Sequence, residues 1–273
     1  MLKFGLLGEK LGHSLSPLIH SLLWEKLGRC AEYTLEEVTA QDLPSKFKNF
    51  GQEFSGLNVT IPYKTTVMPW LDQIEPAALA IGAVNTIKWV AGQSYGYNTD
   101  YYGFGRLLAA NNIKVAQKQI CVLGSGGAAQ AVVKYLLDQQ ALRVVVVARQ
   151  QQEAAGRMQH LASPERLLFT SYAALPSTSL IVINCTPVGM YPQIEATPLS
   201  QKDLAQVTTV VDLIYNPAET LLLREARLAG KQAVNGLLML VAQAAAAEEI
   251  WLGEEFSTEI IEQVTEEVAG GLR

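Results

Sequence analysis

The chain has 273 residues, enough for two compact domains or one large α/β domain. Apolar residues make up 49% and charged residues 17%, ordinary for a folded protein, while a formal charge of −5 excludes a general binder of nucleic-acid backbone, which needs a basic face. The cysteines (30, 121, 185) and histidines (13, 20, 160) are scattered without metal-ligand spacing, so no metal is expected and a reducing compartment is the simplest inference.

In chain order, Leu2–Gly8 reads as a strand, too short and too soon charged for a signal peptide. A helix opens at Ser16-Pro17, where Ser16 has the form of an N-cap. Tyr33–Val38 and Ser55–Val59 read as strands with a helix from about Gln41 between them, and Ala83–Val90 with Ser94–Tyr97 as a hairpin. A helix from about Tyr102 to Asn111 leads to a second series of strands: Gln119–Leu123, Arg143–Ala148, Leu167–Thr170, Leu180–Asn184 and Thr208–Leu213. The segment Gln150–Leu161 has weak apolar periodicity, and helices Leu237–Trp251 and Thr258–Val268 close the chain.

This alternation predicts an α/β fold on parallel sheets, with a boundary near residue 101 and a return near residue 236, so that the last helices pack back on the first domain. The apolar run Leu237–Ala247 is interrupted by Gln243 and falls short of the roughly 20 residues a bilayer requires. No membrane partner is expected, and the expected location is the cytoplasm.

One motif points to a cofactor. Strand Ile120–Leu123 runs into Gly124-Ser125-Gly126-Gly127-Ala128-Ala129 and then into the helical run Gln130–Asp138. A G-x-G-x-x-A pattern in a strand–turn–helix context is the dinucleotide fingerprint: Gly124 for the turn, Gly126 for close approach of a pyrophosphate, Ala129 for helix–sheet packing. The next strand ends in Ala148-Arg149 with no acid at its tip. Arg149 is therefore expected to meet a 2′-phosphate, and NADP is favoured over NAD.

Polar residues also gather on short turns in the first half: Gly12-His13-Ser14-Leu15-Ser16-Pro17, Asn58-Val59-Thr60-Ile61-Pro62-Tyr63-Lys64, Gly82-Ala83-Val84-Asn85-Thr86 and Asn98-Thr99-Asp100. Singly, each has a bland reading, Lys64 as a solvated lysine, Asn85 and Asp100 as turn formers. Together with Asn184-Cys185-Thr186-Pro187-Val188-Gly189-Met190, Asp212-Leu213-Ile214-Tyr215-Asn216-Pro217 and Asn235-Gly236-Leu237-Leu238-Met239-Leu240-Val241-Ala242-Gln243, they resemble the signature segments of the shikimate dehydrogenase family. They occur in order over nearly the whole chain.

The resemblance implies an N-terminal α/β substrate-binding domain (1–101, completed by 237–273) and a Rossmann-type doubly wound NADP-binding domain (102–236). It implies reversible NADPH-dependent reduction of 3-dehydroshikimate to shikimate, a step of aromatic amino-acid biosynthesis. By similarity Ser14 and Ser16 hold the substrate carboxylate with Tyr215 nearby, and Thr60, Lys64, Asn85, Asp100 and Gln243 surround the ring hydroxyls. Gly124, Ser125, Gly126, Gly127 and Ala128 bind pyrophosphate, while Thr186, Leu213, Gly236 and Met239 border the ribose and nicotinamide. Hydride arriving at a ketone leaves charge on oxygen, so Lys64 is the expected cation or proton donor, oriented by Asp100.

The chain also departs from the family. The usual Asn-Arg-Thr after the second Rossmann strand is Ala148-Arg149-Gln150, and Glu153 downstream could repel a 2′-phosphate. Tyr101-Tyr102 replaces the more usual glycine after Asp100, and Leu238 replaces a glycine before Met239. A quinate/shikimate dehydrogenase using NAD and a non-catalytic NADP-binding regulator are the alternative readings. Monomer and homodimer both stay open.

Overall fold

A computed structural model describes residues 2–12, 14–161, 163, 165–175 and 180–271; His13 lies outside the described residues. The chain divides into two compact units, Met1–Gly103 with Val241–Gly271, and Phe104–Leu240.

The first unit is built from β1 (Lys3–Gly8), α1 (Ser16–Lys26), β2 (Glu32–Glu37), α2 (Leu43–Glu53), β3 (Gly56–Val59), β4 (Gln73–Ile74), α3 (Pro76–Ile81), β5 (Thr86–Val90) and β6 (Gln93–Tyr97), followed by the start of α4 (Thr99–Ala110). Its sheet has the order β2-β1-β3-β5-β6-β4. The β1, β2 and β3 strands run parallel, whereas β5 is antiparallel to both β3 and β6, so this sheet is mixed rather than parallel throughout. Phe47, Phe50, Leu57, Val59, Tyr63 and Ile87 form its core.

The second unit holds β7 (Gln119–Leu123), α5 (Gly127–Asp138), β8 (Arg143–Val147), α6 (Gln151–Met158), β9 (Leu167–Thr170), β10 (Ile181–Asn184), β11 (Thr209–Asp212), α7 (Leu221–Leu228) and β12 (Gln232–Asn235). All pairings in its sheet are parallel, in the order β12-β11-β10-β7-β8-β9. Counted within the unit this is 3-2-1-4-5-6 read from the opposite edge, the doubly wound dinucleotide-binding order. The run Val144-Val145-Val146-Val147 explains the interior position of β8: β-branched residues buried on both faces suit a strand covered by helices on each side. The order reverses between β7 and β10, and at such a switch point the loops after both strands flank a ligand crevice.

Two helices close the chain, α8 (Leu237–Leu252) and α9 (Thr258–Gly271). The part of α8 from Val241 onward and all of α9 belong to the first unit, where α9 packs on α1. Among the described residues no helix is long and apolar enough to cross a membrane, and no cluster of three potential metal ligands occurs.

Candidate active site

In the first unit, four turns at the ends of strands and helices bring polar side chains together. Residues 60–67 fold as consecutive turns, tied at their start by the Thr60 amide to the Leu7 carbonyl at 2.9 Å. Tyr63 goes into the core, donating its hydroxyl to the Val38 carbonyl. The Lys64 carbonyl accepts from the Val84 amide at 2.8 Å, which joins this turn to the one carrying Asn85. The Lys64 Nζ donates to Asp100 Oδ2 at 2.7 Å, and the two side chains are only 20% and 13% exposed. Asp100 lies in the first turn of α4, where the helix dipole favours a carboxylate. The solvated-lysine reading of Lys64 is thereby corrected: its neighbour is a carboxylate in a sheltered place.

Asn85 is buried, and its Oδ1 accepts from the Thr99 amide at 2.7 Å and from the Thr86 hydroxyl at 3.1 Å. Thr99 Oγ1 donates to Gln243 Oε1 at 3.3 Å, so Gln243 on α8 joins the same group. Ser14 Oγ accepts from the Ser16 amide at 3.2 Å and donates to Ser16 Oγ at 3.2 Å. Leu15 occupies the cap position and Ser16 is the first residue of α1, so Ser16 is not a side-chain N-cap. The reason is local: the hydroxyl of Ser14, two residues earlier, already accepts from the Ser16 amide. Tyr33 was not picked out from the sequence, nor were Asn58, Thr86 and Thr99 given roles. Burial pushes the Tyr33 hydroxyl well above its ordinary range, so it stays a donor, and it meets Asn58 Oδ1 at 2.7 Å.

The second unit carries the glycine turn. Gly124 has φ +97°, and a Cβ there would stand 2.9 Å from Thr186 Cγ2, so only glycine lets the turn after β7 approach the loop after β10. Gly126 forms the N-terminal cap of α5 with extended backbone and no side-chain cap bond, and Cβ atoms built on Gly126 and Gly127 would enter open space. First-turn N–H groups beside open room at a helix N-terminus fit a phosphate group. Ser125 belongs to this same turn, and Ala128 is the second residue of α5.

Arg149 is exposed just past β8, close enough to Tyr172 for its charge to act on that hydroxyl. Glu153, the suspected repellent, is held on the exposed face of α6 by an ion pair with Arg157 one turn on. The residues present fit a phosphorylated dinucleotide.

Behind the switch point stands a second network. Thr186 donates its amide (3.0 Å) and hydroxyl (2.7 Å) to Asn184 Oδ1, and Asn184 Nδ2 donates to Asp212 Oδ1 at 2.9 Å. Asp212 also accepts from the Thr220 hydroxyl at 2.7 Å and the Ile214 amide at 3.1 Å. Burial raises its carboxyl to about 6, against the lowering effect of those three donors. Gly236 sits against Leu213, where a Cβ would fall 2.0 Å from the Leu213 carbonyl oxygen. Met239 is buried, and Tyr215 is half-buried with its hydroxyl raised by burial. Cys121 is buried and pushed up to about 12, so it is no nucleophile at neutral pH.

Three family profiles match the chain: the shikimate dehydrogenase substrate binding domain at residues 6–87, shikimate/quinate 5-dehydrogenase at 107–213, and the shikimate 5′-dehydrogenase C-terminal domain at 236–266. A shikimate dehydrogenase (NADP(+)) of Clostridium perfringens is 42% identical over 270 residues, covering 97% of each chain. The crystal structure of a chorismate mutase/shikimate 5-dehydrogenase fusion protein from Clostridium acetobutylicum superposes with a TM-score of 0.93 at 42% identity, over 100% of this chain and 98% of that one. The shikimate 5-dehydrogenase of Thermus thermophilus, in complex with NADP(H) and shikimate, superposes with a TM-score of 0.87 at 33% identity, over 98% and 99%. Identity of this order across the whole length, on the fold and polar turns described above, establishes that the chain belongs to the shikimate dehydrogenase family.

Proposed function

We propose that this enzyme interconverts 3-dehydroshikimate and shikimate with NADP(H), in the pathway to the aromatic amino acids. The observation that carries the reading is the sheltered pair Lys64–Asp100 at 2.7 Å, delivered by two separate turns. Residues 1–101, completed by 237–273, bind the substrate, and residues 102–236 bind NADP. In the first, Ser14 and Ser16 take the carboxylate; Tyr215 is a further substrate-binding residue. Thr60, Asn85 and Gln243 take the ring hydroxyls, and Lys64 and Asp100 act at the reacting hydroxyl.

Gly124, Ser125, Gly126, Gly127 and Ala128 would hold the pyrophosphate on the N-terminus of α5, and Arg149 the 2′-phosphate. Thr186, Leu213, Gly236 and Met239 would border the ribose and nicotinamide. The bound nicotinamide supplies hydride in reduction and accepts it in oxidation. During reduction the Lys64 ammonium stabilises the charge growing on the carbonyl oxygen, and the Lys64–Asp100 pair delivers the proton that makes it a hydroxyl. In oxidation the pair takes that proton back. Asp100 keeps the ammonium aimed, because the lysine stem alone has several free torsions.

A regulator that only sensed NADP would have no use for this pair, which favours the enzyme. The exposed Arg149 with no acid at the tip of β8, and the identity with shikimate dehydrogenases (NADP(+)), favour NADP over NAD. An exposed Cys30 and a buried Cys121, both free thiols, support a cytoplasmic location, with monomer or homodimer as the assembly. Formation of NADPH on adding shikimate and NADP tests the reading; binding without turnover would favour the sensor.

A further inference from the structure

The first unit contains a buried ionisable pair that the proposed reaction does not use. His20 on α1 and Glu248 on α8 are both fully enclosed, with His20 Nδ1 2.5 Å from Glu248 Oε1. Aromatic rings wall the imidazole in: Tyr33 stacks on it at 4.1 Å between centroids, Trp251 at 5.5 Å, and Trp24 lies tilted at 6.1 Å. Among the described residues His20 Nε2 and Glu248 Oε2 find no hydrogen-bond partner. A half-satisfied polar pair in an apolar cage is no better for stability than well-packed apolar side chains, so its use lies elsewhere.

That use is apparent in what the pair connects. His20 lies one helical turn after Ser16, so both side chains share a face of α1. Tyr33 stacks its ring on His20, and its hydroxyl donates to Asn58 Oδ1 at 2.7 Å. Asn58 Nδ2 donates to Thr86 Oγ1 at 3.1 Å. From Thr86 the bonds run on to Asn85 Oδ1, which also accepts from the Thr99 amide, and the Thr99 hydroxyl donates to Gln243. Gln243 is on α8 five residues before Glu248, which returns the path to His20 and Ser16. The interactions therefore close into a ring, with the Ser16 end and the Gln243 end held at a fixed spacing by the His20–Glu248 latch.

We infer that His20, Glu248 and Tyr33 are positioning residues that set the span between the carboxylate end and the hydroxyl end of the substrate site. The inference rests on the substrate reading above. A fixed span selects an acid whose hydroxyls lie at the matching distance, and loosening it penalises shikimate while leaving the dinucleotide untouched.

The test uses the full-length enzyme and compares shikimate KM, NADP KM and the thermal midpoint. Tyr33→Phe keeps the ring on His20 and removes only the hydroxyl; its shikimate KM should rise about tenfold, the weight of one buried hydrogen bond, with NADP KM within about twofold. Glu248→Ala opens the latch and should raise shikimate KM at least as far. Glu248→Gln, whose amide oxygen still accepts from His20, should restore most of that loss. An unchanged shikimate KM in Tyr33→Phe overturns the inference, as does a parallel rise in both KM values, or Glu248→Gln behaving like Glu248→Ala. If Glu248→Ala does not fold, Tyr33→Phe decides alone. A wild type that neither binds nor oxidises shikimate overturns the substrate reading and this inference together, whereas normal wild-type turnover with unaffected variants overturns the inference only.

Discussion

Replacing Lys64 by alanine separates chemistry from folding. The substitution removes the ammonium that donates to Asp100 at 2.7 Å. Loss of a positioned proton donor lowers turnover by roughly 10²–10⁴-fold, about 3–5 kcal/mol on the barrier. The same change leaves the Asp100 carboxylate, 13% exposed, without its cation. A fully enclosed charge stripped of its partner costs about 3–5 kcal/mol. Here residual solvent and the N-terminus of α4 reduce that to on the order of 1–3 kcal/mol. At about 2–4 °C per kcal/mol for a protein of this size, the midpoint should fall by several degrees, too little to empty the folded state at assay temperature. Three measurements are needed: turnover of shikimate with NADP, NADP affinity by fluorescence, and the thermal midpoint. The expected pattern is a collapse of turnover with NADP affinity within about twofold, because the binding elements for NADP lie in the other unit. Turnover within about tenfold of wild type would refute the role of Lys64.

Other perturbations read other parts of the account. Arg149→Ala should raise NADP KM by about 10–100-fold, the weight of a charge-assisted contact, and leave NAD KM unchanged; an equal effect on both cofactors would remove the 2′-phosphate from its role. Gly126→Val puts its Cβ in open space but makes a poorer cap for α5, so the thermal midpoint should fall by only a few degrees while NADP affinity falls about 10–100-fold; tight NADP binding would show that the pyrophosphate lies elsewhere. Asp212, raised to about 6 in the fold, binds its proton more tightly folded than unfolded. Its contribution to stability is therefore fully present below its unfolded value near 3.9 and lost as pH rises through about 6, on the order of 3 kcal/mol in total. Asp212→Asn can keep the Asn184 and Ile214 bonds on its oxygen while its amide donates to Thr220 Oγ1. It should therefore gain in thermal midpoint relative to wild type at pH 8 compared with pH 4; a constant difference across that range would contradict the assignment.

The glycine turn is legible in the sequence because it combines local signals, an apolar strand, three glycines and a helical run, all within 20 residues. The four consecutive valines of β8 are legible for the same reason. The α3 and β4 segments were missed because six and two residues are too few to display a period. The α7 and β12 segments were missed although Thr220 is a side-chain cap for α7, a signal that could have marked the helix. The linking helix begins at Thr99 rather than Tyr102, since Asn98 Oδ1 accepts from the Tyr101 amide at 3.4 Å; Asn98-Thr99-Asp100 had the composition of a helix start. In the site, the meeting of Lys64 and Asp100 across 36 positions is implied by the family resemblance alone, because neither segment read by itself points to the other. Tyr33 had no local mark at all. It lies in a strand, and its importance comes from His20 and Asn58, which only the fold brings to it.

The most direct test of the central claim is a steady-state matrix of shikimate and quinate against NADP and NAD with the wild-type enzyme. The account predicts that kcat/KM is highest for shikimate with NADP, and that quinate, which differs in a ring hydroxyl, and NAD, which lacks the 2′-phosphate, each lower it by at least about tenfold. Fastest turnover with quinate and NAD, or no turnover with any pair, would contradict it.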